Sequence, residues 1–144
     1  PDDLHTYDDR PAPHAVFSHP QIGAVGLTER EAIDRRERTG APYCAVTHDY
    51  AGAAYGWAME DTTSFCKLIG DPVTRKVLGA HVIGPQASLL VQLLVQGIHL
   101  GNTADEMVSQ VWIHPALSEV VEVALLKLIE AFDATSAART LTQL

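Results

Sequence analysis

The chain has 144 residues, enough for one domain with a real core and too few for two nucleotide-binding domains beside anything else. Eighteen acidic against ten basic side chains give a formal charge of -8, which argues against nucleic acid or an anionic membrane as partner, since both need clustered Lys and Arg. No apolar run approaches the roughly 18 residues of a membrane span, and the acidic, proline-bearing start is unlike a signal peptide.

Initiator removal and excision from a longer protein both account for a chain that opens on Pro1. Residues 1–13, with three prolines and four aspartates, read as an interdomain linker. His14 to Ser18 and Ile22 to Leu27 follow as two short strands broken by Pro20, which cannot donate to a sheet ladder. Thr28 with Glu31 forms a capping box for a helix to about Arg38, ahead of Gly40 and Pro42. Arg30, Arg35, Arg36 and Arg38 share that helix with Glu29, Glu31, Asp34 and Glu37, the composition of a solvated face. Tyr43 to Tyr50 is a strand. Ala51 to Met59, rich in small residues and weakened by Gly52 and Gly56, is a short turn-like element.

Thr63 to Ile69 and Lys76 to Ile83 predict a hairpin, joined across Asp71, Pro72 and Thr74. Gly84 and Pro85 then break the chain into a helix from Gln86 to Leu100. Its apolar residues Leu89, Leu90, Val91, Leu93, Leu94, Val95, Ile98 and Leu100 occupy almost the whole circumference. One sheet face cannot cover them all, so a partner subunit is the expected second surface. Gly101 and Asn102 end that helix, and Thr103 with Glu106 caps a short one to about Gln110. A last helix runs from Val120 to Phe132, and residues 131–144 read as a tail with little periodicity. Local hairpins with helices grouped after them predict an α+β fold, helices packed on an antiparallel sheet, and not a doubly wound one.

Cys44 and Cys66 form no C-x-x-C pair, so no zinc knuckle or redox dithiol can be assigned; unpaired thiols suit a reducing cytoplasm. Gly23-Ala24-Val25-Gly26 lacks the G-x-G-x-x-G spacing of a dinucleotide site. The seven histidines form no metal-ligand spacing, and no metal is expected. His19-Pro20 reads as a strand-end turn, and His99 with Gln92 and Gln96 as a polar seam on one helix stripe. His114-Pro115 is different, because Glu119 follows at a helix start. Ser118 and Glu119 are explained without chemistry as an N-cap and a first-turn acid complementing the helix dipole. The same residues also have the ingredients of an oriented acid/base: an imidazole that can give and take a proton, a carboxylate to fix its tautomer, and a stiff proline.

The segment His114-Pro115-Ala116-Leu117-Ser118-Glu119 resembles the His-Pro-x-x-x-Glu signature of the flavin-dependent pyridine nucleotide-disulfide oxidoreductases. Pro13 to Pro20 and Tyr55 to Thr63 also resemble that family, so the likeness covers most of Pro13 to Leu128. It implies the family's C-terminal dimerisation domain, here residues 14–130, with the fold of a FAD/NAD-linked reductase interface domain. By the same resemblance, His114 is the acid/base and Glu119 its orienting partner, both offered to the partner subunit's active site in a homodimer. His114 and Pro115 would approach the flavin, and their peptide bond can be cis. FAD and NADPH are the implied cofactors of a full-length cytoplasmic enzyme acting on a small disulfide; this chain alone is expected to bind neither and to be inactive. Ala116 stands where the wider family commonly has threonine, and Val120 where some members have a second glutamate, so their substrate contacts do not carry over. The alternative is a free-standing dimerisation or ligand-binding module without catalysis.

Overall fold

The computed structural model describes residues 12–141, with side chains through residue 138. Residues 1–11 of the expected linker and the last three residues of the expected tail lie outside the described span. Strands β1 (His14–Val16), β2 (Ile22–Gly26), β3 (Cys44–Asp49), β4 (Phe65–Asp71) and β5 (Lys76–Ile83) form one sheet in the order β1-β2-β5-β4-β3. Every neighbouring pair is antiparallel, as the local hairpins predict. β1 stops at Val16, short of Ser18, because the chain is already turning there and the Ser18 hydroxyl donates to the Pro20 carbonyl at 2.7 Å. The β4–β5 turn is closed by Asp71, whose carboxylate accepts from the Val73 and Thr74 amides.

Strand periodicity divides the sheet into two faces. Cys66, Leu68, Ala80 and Val82 enter the main core, while Lys67 and His81, paired across β4 and β5, belong to the other side. Helix α1 (Glu29–Thr39) lies over that second side, tied by Lys67 to Glu29 and by Arg35 to Asp71 at 3.8 Å. Its capping box is present and Gly40 ends it in the left-handed region at φ 73, where glycine has no Cβ to clash. On the core face, α3 (Ala87–Leu100) packs against β2 and β5, and α5 (Glu119–Leu141) against β3 and β4. The small helix α4 (Ala104–Val108), started by the Thr103–Glu106 box, rests on α5.

Only one side of α3 is covered. Ala87, Leu90, Val91, Leu94 and Gly97 are buried, whereas Leu89, Leu93 and Leu100 are exposed together with Gln92, Gln96 and His99. The unused apolar side is therefore open to a second surface.

The C-terminal tail expected over 131–144 is corrected as far as Leu141, since the described residues there are helical. Helix α5 continues to Leu141, and Phe132 is fully buried where Gly70 leaves room for its ring. Arg75, at the hairpin turn, clamps the same region: its guanidinium donates to both oxygens of Asp105 at 2.7 and 2.8 Å and to Asp133 at 2.7 Å, and lies over the Phe132 ring. These bonds raise the Arg75 pKa and hold the Asp105 carboxyl below its usual range.

Candidate active site

His114 lies in the connection between α4 and α5, and its bond to Pro115 is cis, as is His19-Pro20. The His114 side chain is 70% exposed, but one edge of the ring is fixed: Nδ1 and Glu119 Oε1 are 2.6 Å apart. The other carboxylate oxygen accepts the Ala116 amide at 2.9 Å, so Glu119 is held at both ends and is only 15% exposed. Its hydrogen bonds with His114 and then with Ala116 keep its carboxyl below the ordinary range, which leaves it an anion facing the imidazole. With Nδ1 donating to that anion, Nε2 is the nitrogen left for exchange with a ligand.

The local fold explains why these residues meet. The amides of Glu119, Val120 and Val121 are taken by the carbonyls of Ala116, Leu117 and Ser118, which makes a tight turn at the head of α5. The expected N-cap role of the Ser118 hydroxyl is thereby corrected. Backbone carbonyls satisfy those donors, and the Ser118 carbonyl accepts the Glu122 amide as the first helical bond. Leu117, Val120 and Val121 anchor the turn in the core, so the exposed imidazole stands on a rigid base. Val111 and Ile113 flank it at 98% and 75% exposure, an apolar rim left open by the described residues.

Beside His114 and Pro115 opens a groove of about 530 Å³. Its far wall is the stretch read as turn-like, here a single 3-10 turn (Tyr50–Gly52) followed by the five-residue helix α2 (Ala54–Ala58). Tyr55 and Trp57 present their rings on this wall, Trp57 at 75% exposure. Gly56 is required there, because a Cβ would come 2.0 Å from the Tyr50 carbonyl oxygen. Tyr50 is itself fully buried, its hydroxyl donating to the Pro85 carbonyl at 3.0 Å. The aromatic wall was not singled out from sequence chemistry, although two aromatics among small residues were a usable signal.

His48 lies directly beneath this wall. It is 6% exposed, neither ring nitrogen has a partner, and its ring touches Gly52. Burial holds its pKa below the ordinary histidine value, Lys127 pushes the same way, and Asp49 opposes. An unfolded chain takes up this proton near pH 6.5. Just below that pH the unfolded state binds more protons than the folded one, so stability is complete above it and falls as the pH drops through it. Urea midpoints are expected to fall between pH 7 and pH 5, and His48→Leu to flatten that slope. Unchanged slopes would show that another group titrates.

The remaining candidates separate from the site. His19 is exposed in the β1–β2 turn, and His99 sits on the open side of α3. Cys44 is partly buried near Thr135; Cys66 is wholly buried, which pushes its thiol up to about 12 and leaves it inert. Among the described residues no cluster could hold a metal, and no helix is long and apolar enough to cross a membrane. The described strands pair only antiparallel, so no parallel βαβ unit occurs among the described residues.

Comparison with known proteins bears on the family and the fold. The model of the pyridine nucleotide-disulphide oxidoreductase dimerisation domain matches residues 12–125. Mycothione reductase of Mycobacterium tuberculosis is 52% identical over 122 residues, covering 84% of this chain and 26% of the relative. Dihydrolipoyl dehydrogenase of Synechocystis sp. is 36% identical over 117 residues, covering 81% and 25%. LpdA from Mycobacterium tuberculosis shares the fold with a TM-score of 0.77 at 22% identity, over 87% of this chain and 26% of that one. The HOCl-induced flavoprotein disulfide reductase RclA from Escherichia coli superposes with a TM-score of 0.70 at 26% identity, over 84% and 26%. The chain spans about a quarter of the length of the relatives it matches.

Proposed function

Because the chain belongs to the pyridine nucleotide-disulphide oxidoreductase dimerisation domain family, we propose that it is the interface domain of a homodimeric, flavin- and NADPH-dependent disulfide reductase of the mycothione reductase type. The observation that carries this reading is the 2.6 Å pair of His114 and Glu119 beside an apolar groove. The pair serves the active site of the other subunit, the second surface for α3 being a copy of itself. A reducing, cytoplasmic setting suits the two free thiols.

The chemistry assigned to this chain is proton transfer. A thiolate from another domain attacks one sulfur of the substrate disulfide, a new S–S bond forms, and the old one breaks with its electron pair on the departing sulfur. His114 Nε2 gives that sulfur its proton, so the leaving group departs as a thiol. Glu119 stabilises the imidazolium before transfer and fixes the tautomer afterwards. A second exchange within the enzyme releases the other half of the substrate and returns the enzyme's own disulfide. The His114-Pro115 rim would lie against a bound FAD held by other domains, and that group would supply the electrons, drawn from the nicotinamide, needed to reopen the disulfide. Mycothione is the favoured substrate on the strength of the 52% identical relative.

Purification from the natural source with an antibody to this chain tests the reading. The expected product is a yellow homodimer with a subunit roughly three times this length. A colourless polypeptide of 15.6 kDa would instead support a free-standing dimerisation module.

A further inference from the structure

The groove beside His114 does not stop at α2. Ala51, Trp57 and Ala58 also line an adjoining hollow of about 350 Å³, whose other walls are Glu60, Asp61 and Thr62. One trough therefore runs from the imidazole of His114, past the exposed indole of Trp57, to two carboxylates.

No lysine or arginine lines either part. Lys67 is engaged with Glu29, Arg75 with Asp105 and Asp133, and Lys127 with the Thr47 carbonyl. Glu60 stands at φ 55, its amide bonded to the Trp57 carbonyl at 2.9 Å, and the Asp61 amide reaches the Gly56 carbonyl at 3.2 Å. The acids are thus fixed to the end of α2 beside the indole. The Asp61 carboxylate accepts from Thr63 and Ser64 at 3.0 and 2.9 Å; burial pushes its pKa up, but these bonds outweigh it and keep the group ionised. Glu60 has no such engagement and can accept from a ligand.

We propose that Trp57 and Glu60 determine which disulfides the enzyme accepts, by taking an uncharged, hydrogen-bond-donating arm of the substrate and rejecting an anionic one. This rests on the reductase reading above. An indole face stacks on the C–H face of a neutral group, and carboxylates accept from its hydroxyl or amide donors. A substrate carboxylate in the same place meets the carboxylates of Glu60 and Asp61, with no lysine or arginine among the described lining residues to offset them.

The test uses the full-length flavoenzyme and two matched probes: the disulfide of N-acetylcysteinylglycine, a dianion, and the disulfide of its C-terminal amide, which is neutral. Wild type is expected to favour the neutral probe about 10-fold in kcat/KM, a partly screened charge effect. Glu60→Lys should erase or reverse that preference, and Glu60→Gln should fall between. Trp57→Ala should raise KM for both probes about 10-fold with kcat little changed. Flavin content and dimer mass establish that each variant is folded. Reduction of both probes with a preference that Glu60→Lys leaves unchanged overturns this inference while leaving the reductase reading intact. Reduction of neither probe by a flavin-loaded wild type overturns both.

Discussion

The full-length enzyme carrying His114→Ala is expected to reduce its disulfide about 10²- to 10⁴-fold more slowly than wild type, the loss that follows removal of a positioned proton donor. Nothing else in the described site can substitute. Tyr55 and Trp57 carry the polar atoms on the facing wall, and neither is an imidazole that can both give and take a proton. Glu119→Gln is expected to lose less, about 10-fold, because an amide oxygen can still accept from the ring or from Ala116 while the negative charge is gone. If Glu119 were only a first-turn helix acid, Glu119→Gln would lower stability by a few tenths of a kcal/mol and leave turnover alone. The ratio of turnover loss to stability loss therefore separates the two roles.

Phe132→Ala is expected to destabilise the fold by about 3–5 kcal/mol, the range for emptying a buried aromatic site. The ring is fully buried against β4, where a Cβ on Gly70 would lie 2.5 Å from it, and the Arg75 guanidinium sits 5.5 Å from its centroid. The cavity would also loosen the clamp that joins the hairpin turn to α4 and α5. Ala134→Ser, exposed on the same helix, should change stability by no more than about 0.5 kcal/mol. Urea unfolding of the three proteins compares them directly; similar midpoints for Phe132→Ala and wild type would mean that α5 does not bear on the core beyond residue 130.

The sequence carries α5 as far as Phe132 because Val120, Val121, Ala124, Leu125, Leu128 and Phe132 recur at helical spacing. Beyond that point Asp133, Ala134, Thr135 and Ser136 hold too little apolar content to show a period. The helix persists there through its own propensity and the grip of Phe132 and Arg75. Both capping boxes, the hairpin and the antiparallel order were legible because each depends on residues within a few positions of one another. The Arg75 clamp, the orphaned imidazole of His48 and the trough from His114 to Glu60 were not, since their partners are brought together by the sheet. The His114–Glu119 contact is an intermediate case. Its spacing was visible, yet an N-cap accounted for the same residues until the turn at Ala116 to Val121 placed the carboxylate on the ring.

The most direct test of the proton-transfer role is a stopped-flow comparison of the two half-reactions in wild type and His114→Ala. Flavin reduction by the nicotinamide should remain within about twofold of wild type, while oxidation of the reduced enzyme by the disulfide slows about 10²-fold or more. Equal slowing of both halves would contradict the account and make His114 a structural residue of the interface.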